Sequence, residues 1–235
     1  MAWLWDNLDL VLGLAADHIR LSVVPIVVGL AASIPLGWLA HRSRLARLLL
    51  LPTASVLFTI PSIALFVTLP VVLGTRILDD ANVVVALSIY AVAIMVRGAV
   101  DAFGSVPADA VQAATALGYG RWSRFRAVEL PLAGPVLLAN LRVVAVSTVS
   151  LLSVAAVIGK GGLGYLFING YQRAFPEEIL IGIVGTLLIA LLFDLVLQLA
   201  GRVLMPWPRP GRRVRGRRAG GSAGVGAGVA REGLA

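Results

Sequence analysis

Few side chains in this sequence could carry out catalytic chemistry. The chain has no Cys and only two His, His18 and His41, so disulfides and thiolate metal sites are excluded. Neither histidine belongs to an H-E-x-x-H motif or to a cluster of carboxylates, which are the usual settings of a catalytic metal. The sequence therefore predicts no catalytic residue, no metal site and no cofactor.

Two opposite charges, Arg142 and Asp194, lie inside long apolar segments. A charged side chain at the centre of a membrane costs at least ~2.5–3.5 kcal/mol, so such groups pair with one another or face a cavity. The two residues are at similar depths in their segments, which predicts an intramembrane pair that clamps two helices together. The alternative interpretation is that a cationic substrate binds Asp194 directly.

A third group of residues matches a nucleotide-binding pattern but lacks the sequence context that such a site needs. Gly159, Gly161 and Gly164 form a G-x-G-x-x-G pattern, but a dinucleotide site needs a β-strand before the pattern and a ribose-binding acid after it. Here an apolar segment precedes the pattern, so we interpret these glycines, with Gly162, as a tight turn. The sequence has no G-x-x-x-x-G-K-[ST] motif, so we expect that this chain does not hydrolyse ATP itself.

Composition shows which elements must hold these residues. Of 235 residues, 59% are hydrophobic and only 14% are charged, against about 25% charged in soluble domains. The mean hydropathy is +0.92, so the sequence predicts an all-α polytopic membrane protein. We expect five transmembrane helices, at residues 19–40, 48–73, 81–103, 132–158 and 179–204. Prolines interrupt the second of them, and Pro61 lies in the string Thr59-Ile60-Pro61-Ser62.

The remaining segments complete three predicted regions. Residues 1–18 are predicted to form an interfacial helix, because tryptophan and leucine share one face of it. Residues 19–204 are the transmembrane domain. Residues 205–235 are rich in Arg, Gly and Pro and predict a disordered basic tail in the cytoplasm.

Basic residues in the short loops predict the orientation. The segments 41–47 and 104–131 each contain three Arg, and residues 202–218 contain seven. With five spans all three segments fall on one side, so we expect the amino terminus outside and the carboxyl terminus in the cytoplasm. Attraction to anionic lipid, about 1 kcal/mol per basic residue, explains the arginines without a nucleic acid partner.

The loop at residues 105–131 predicts a docking element on the cytoplasmic side. Pro107 suits the first turn of a helix and Gly118 suits its end. Between them Ala113 and Ala114 leave a flat surface that another backbone can approach. After Gly118 a second short helix could place Trp122 and other apolar residues on one face. The alternative is an amphipathic loop that rests on lipid headgroups.

This loop resembles the EAA loop of ABC-importer permeases, with every spacing kept. The matching residues are Gln112, Ala113, Ala114, Gly118, Val128, Leu130 and Pro131. Gln112 stands where the family has Glu, and Val128 where it has Ile. The resemblance implies a coupling helix that sits in a groove of a separate ATPase subunit, and the Gln112 substitution removes a salt bridge that the Glu could make there.

Other strings resemble the osmoprotectant branch of these permeases, which carries glycine betaine, choline and carnitine. They are the segments 59–65, 97–98, 129–133 and 157–164, and the resemblance covers roughly residues 18–204. We expect Arg97 to reach lipid phosphate or the partner loop, and Thr59, Pro61 and Ser62 to line the substrate pathway.

The resemblance implies a transport subunit rather than an enzyme, located in the plasma membrane. Its expected partners are ABC ATPase subunits, a second permease copy or homologue, and a substrate-binding protein. That binding protein is expected on the 74–80 loop and on the 159–178 loop, which contains Gly159, Gly161, Gly162 and Gly164. The alternatives are a permease for methionine or another amino acid, an intramembrane enzyme and a lipid-binding structural protein.

Overall fold

The computed structural model describes residues 2–207, and within that range it contains helices and no β-strand. The α-helices are α1 (Ala2–Asp6), α2 (Leu8–Arg42), α3 (Arg44–Thr59), α4 (Ser62–Leu73), α5 (Asp80–Gly104), α6 (Ala108–Ala116), α7 (Arg121–Arg124), α8 (Leu130–Val154), α9 (Gly164–Gln172) and α10 (Pro176–Leu204). A π-helical turn, Phe125–Glu129, joins α7 to α8, and a 3-10 turn, Ala155–Ile158, follows α8.

Two ion pairs mark the two ends of the molecule. At one end, the Glu129 end, Glu129 contacts Arg42, the last residue of α2. At the other, the Asp80 end, Asp80 pairs with Lys160 from the turn after α8. Four helices described by the structure are long and apolar enough to cross a membrane: α2, α5, the continuous helix Arg121–Ile158, and α10. Counting the bent α3–α4 pair as one span gives up to five crossings. Four to five apolar helices without a strand in the described residues confirm the predicted fold class.

Helix α5 lies at the centre of the bundle and contacts α2, α3, α4 and α8. Its contact with α2 is close because small residues face each other. A Cβ atom added at Gly29 would lie 2.8 Å from the Cβ of Ala91, and one at Gly37 would lie 3.0 Å from the backbone carbon of Ala99. Such small-residue contacts are typical of membrane helices, where close van der Waals packing drives association.

The second predicted span is not one straight helix, which corrects the expectation for residues 48–73. α3 ends at Thr59, α4 begins at Ser62, and the two helices are bent by 101°. Ile60 has φ −63° and ψ 128°, the extended backbone that a residue preceding proline favours. The proline ring at Pro61 therefore explains the break.

Three other boundaries differ from expectation. No break occurs at residue 18, because α2 runs from Leu8 to Arg42. The predicted 159–178 loop contains α9. The second short helix of the 105–131 loop is the start of the fourth crossing, since Arg121–Ile158 is continuous. Of the predicted tail at 205–235, residues 208–235 lie outside the part that the structure describes.

Candidate functional site

Helix α6 is a short, separate helix at the Glu129 end. Pro107 precedes it with φ −58°, the angle that the proline ring imposes. Gly118 follows it with φ +84°, a conformation that costs other residues about 1–2 kcal/mol. The amide of Tyr119 donates to the carbonyl of Ala114 at 3.1 Å. Pro107 and Gly118 therefore set where α6 begins and ends.

The surface of this end is apolar as well as exposed. Gln112 and Ala113 are exposed, whereas Ala114 is buried beneath them. Leu117, Tyr119 and Trp122 are 77%, 41% and 58% exposed. Large exposed apolar groups mark a surface that contacts another protein or the membrane.

The continuation of this segment anchors it to the membrane helices. Trp122 stacks on Phe125 with ring centroids 5.2 Å apart, and the buried Phe125 ring lies 4.8 Å from Trp38 and 5.9 Å from Phe103. Trp122 and Phe125 therefore lie on one side of this segment, with the first ring exposed and the second buried. Val128, Leu130 and Pro131 are half-buried at the start of the fourth crossing.

A buried carboxylate, Glu129, connects the elements of this end. Its Oε2 accepts a hydrogen bond from Trp38 Nε1 at 2.8 Å. Its Oε1 accepts from Arg42 Nη2 at 2.6 Å and from Arg124 Nε at 2.9 Å. Arg124 also donates from Nη1 to Thr115 Oγ1 on α6 at 2.7 Å. This set of residues, the Glu129 network, joins α6 to α2 and to the fourth crossing.

Sequence reasoning gave Glu129 no role, although a signal was present. It is the only acidic residue between Asp109 and Glu177, and three arginines lie within eight residues before it. A lone carboxylate among arginines at the start of an apolar segment indicates a buried ion pair. Its partners Trp38 and Arg42 could not be found this way, because they come from a distant part of the chain.

The structure places Arg142 and Asp194 in direct contact. Arg142 donates from Nε to Asp194 Oδ1 at 2.5 Å and from Nη2 to Oδ2 at 2.9 Å. Gln198 Nε2 donates to Oδ2 at 2.7 Å. Because both carboxylate oxygens are occupied, the geometry favours a clamp between α8 and α10 over a cation site.

The break between α3 and α4 is held from α5. The hydroxyl of Tyr90 donates to the carbonyl of Ile60. Thr59 and Pro61 are exposed and Ser62 is half-buried, and Thr59 Oγ1 donates within its own helix to Val56 at 2.7 Å. These three residues are therefore at an accessible kink, and their place in a substrate pathway stays a prediction.

The glycines of the 159–164 turn serve mainly to bring backbones together. Gly159 is exposed with φ +84°, whereas Gly161, Gly162 and Gly164 are buried. A Cβ at Gly162 would lie 2.7 Å from the Cβ of His18. A 3-10 turn precedes the pattern instead of a strand, which removes the dinucleotide interpretation.

Ion pairs also join the elements at the Asp80 end. Asp80 pairs with Lys160 at 2.7 Å and with Arg20 at 2.6 Å. These contacts tie α2, α5 and the 159–164 turn together. The surface left open there includes Gly159 and Tyr165, which are exposed.

Comparisons with known proteins agree with this geometry. The family model described as binding-protein-dependent transport system inner membrane component matches residues 25–210. The osmoprotectant import permease protein OsmW of Salmonella typhimurium is 32% identical, over 87% of this chain and 96% of that protein. The choline transport system permease protein OpuBB of Bacillus subtilis is 31% identical, over 81% of this chain and 86% of that protein.

Solved structures share the fold. An inward-facing structure of the MetNI methionine ABC transporter matches with a TM-score of 0.69 at 22% identity, over 86% of this chain and 97% of that one. A structure of an amino acid ABC transporter matches with a TM-score of 0.67 at 18% identity, over 86% of this chain and 97% of that one. The chain therefore belongs to the family of binding-protein-dependent transport system inner membrane components, and it is a permease subunit of an ABC importer.

Proposed function

We propose that this permease subunit translocates osmoprotectants such as glycine betaine, choline or carnitine. The observation that carries the proposal is the similarity to permeases with these cargoes in their names. It extends over nearly the full length of both chains for OsmW. A glycine betaine/carnitine/choline permease of Bacillus subtilis, OpuCB, is a further relative, 29% identical over 88% of this chain and 94% of that protein.

The energy source in this proposal is a separate ATPase subunit that docks on residues 107–130. The exposed apolar groups of this segment, Leu117, Tyr119 and Trp122, support the docking surface. The contact residues would be Gln112, Ala113 and Gly118 together with these groups. We infer that the Glu129 network then carries the movement of α6 to the membrane helices as a rigid body.

In the proposed orientation the Glu129 end faces the cytoplasm and the amino terminus is outside. The arginines of the 41–47 and 104–131 segments support it, because Arg42 and Arg124 meet at this end. The Asp80 end then faces an extracytoplasmic binding protein through the loops at 74–80 and 159–178. A second permease copy or a homologue would complete the pathway.

Uptake measurements test the proposed cargo. The complete importer, with its ATPase and binding protein, is expressed in bacteria that lack their own osmoprotectant uptake. We expect ATP-dependent accumulation of radiolabelled glycine betaine, choline or carnitine that excess methionine does not inhibit. Uptake of methionine with no uptake of the three osmoprotectants would contradict the proposal and favour the amino-acid alternative.

A further inference from the structure

Arg97 is a charged residue on the exposed side of the central helix α5, seven residues before its end at Gly104. Its neighbours Met95, Val96, Ala99 and Val100 are buried, whereas Arg97 is exposed. Among residues 2–207 no carboxylate lies within ion-pair distance of it, and its guanidinium Nη2 donates to Ser55 Oγ on α3 at 2.8 Å. An intramembrane charge without a counter-ion indicates a functional site.

The direction of the side chain argues against an arginine that reaches the nearest membrane surface. Arg97 is about 10 Å along α5 from the last residue, Gly104, at about 1.5 Å per residue. Its guanidinium contacts Ser55, in the second half of α3, rather than a group beyond the end of α5. Side chains of a helix tilt toward its amino terminus, which in α5 is the end away from Gly104.

An aromatic face lies next to this guanidinium. Phe58 follows Ser55 by one turn, about 4.5 Å along the helix axis, and its side chain is 52% exposed. The ring of Tyr90 packs edge-on against it, with centroids 6.1 Å apart and planes at 84°. Tyr90 is buried and fixed by its hydrogen bond to Ile60, so it holds the exposed Phe58 ring in a set position.

We propose that Arg97, Ser55 and Phe58 form a station for a zwitterion in the transport pathway. This inference rests on the proposed function. The carboxylate of a betaine would bind the guanidinium and the Ser55 hydroxyl, because charge-assisted hydrogen bonds are the stronger ones. The trimethylammonium group, a few bonds away, would lie against Phe58 by cation–π attraction. Choline has no carboxylate, so it would use the ring alone.

The station predicts that one substitution separates two cargoes. In the complete importer, Arg97→Gln should lower the ratio of glycine betaine to choline uptake by about 10- to 100-fold, the value of a hydrogen bond to a charged group. Ser55→Ala should lower the same ratio by a smaller factor. Phe58→Leu should lower the uptake of both cargoes. Arg202→Gln, at an exposed position near the end of α10, is the matched control and should change neither.

The outcomes separate this inference from the proposed function. If the wild-type importer carries both cargoes and Arg97→Gln and Ser55→Ala leave the ratio unchanged, the station is wrong and the osmoprotectant function stands. If the wild type carries choline alone, the station is also wrong. If it carries neither cargo nor carnitine, the proposed function itself fails. Membrane content of each variant is measured by immunoblot, and Ser55→Ala gives the test if Arg97→Gln does not insert.

Discussion

Glu129 shows how one buried side chain can join several elements at one end of the molecule. Three donors from α2 and α7 converge on its two oxygens. A buried carboxylate is stable only when it is paired and hydrogen-bonded, and here both conditions hold. Because one of its partners, Arg124, also donates to Thr115, the network connects α6 to α2.

Replacing Glu129 by Gln should destabilise the permease. The change keeps the size of the side chain but leaves Arg42 and Arg124 without their counter-charge. Removing one partner of a fully buried pair costs about 3–5 kcal/mol, and the cost here is smaller because the Arg42 side chain is 29% exposed. Thermal unfolding of the purified protein in detergent measures it. Asp109→Asn, which removes an exposed carboxylate on α6, is the control and should leave the midpoint unchanged. Equal midpoints for both variants would contradict the role given to Glu129.

Replacing Gly118 by Val should abolish uptake while the protein still inserts. A Cβ at this position would meet nothing within 4 Å, so the effect comes from the backbone, whose φ of +84° costs a β-branched residue about 1–2 kcal/mol. Gly118→Asn is the matched variant, because Asn adopts this conformation far more readily. Uptake and membrane content are measured together. Normal uptake by the Val variant would count against docking at the end of α6.

At the scale of the helices, apolar length predicted the crossings and proline predicted the weak point. The segments 81–103 and 179–204 agree closely with α5 and α10. What the sequence could not supply was direction: Pro61 predicts a break, but nothing in residues 48–73 gives its angle of 101°. The continuity of Arg121–Ile158 was also missed. Pro131 suggested a helix start there, whereas the π-helical turn Phe125–Glu129 absorbs the proline within the helix.

The residues proposed to contact the ATPase could be selected from sequence because Gln112 to Pro131 are close along the chain, so their spacing is preserved. The Glu129 network and the Arg97 contacts join residues that are distant in sequence, such as Ser55 and Arg97. Periodicity within one helix contains no information about which face meets which neighbour. The Glu129 network and the Arg97 contacts could therefore be identified only in the folded structure.

The close contact of α2 with α5 predicts that two glycines of α2, Gly37 and Gly13, respond differently to replacement by alanine. A Cβ at Gly37 would lie 3.0 Å and 3.1 Å from backbone atoms of Ala99 and Val100, and overpacking of this kind costs about 1–3 kcal/mol. A Cβ at Gly13 would meet nothing within 4 Å, and Gly to Ala at an unstrained position stabilises by about 0.4–1 kcal/mol. Gly37→Ala should therefore lower the unfolding midpoint in detergent, and Gly13→Ala should not. The same shift for both would mean that the close helix contact does not limit the packing.

At the scale of the whole molecule, the two ends differ in what they expose. The Glu129 end presents apolar side chains beside arginines, and the Asp80 end presents a turn stabilised by ion pairs. In the proposed importer this difference is expected, because its ATPase and its substrate-binding protein would approach from opposite sides of the membrane.

Labelling of single cysteines can decide which end faces the cytoplasm. The sequence has no cysteine, so each introduced thiol is unique without further changes. Ile77, at the Asp80 end, is 64% exposed, and Leu117, at the Glu129 end, is 77% exposed. In intact cells a membrane-impermeant maleimide should label Ile77→Cys, and it should label Leu117→Cys only after the membrane is opened. Val146→Cys, on the apolar face of α8, should stay unlabelled in both conditions because a thiolate does not form in lipid. Labelling of Leu117→Cys in intact cells would reverse the orientation and place α6 out of reach of any cytoplasmic ATPase.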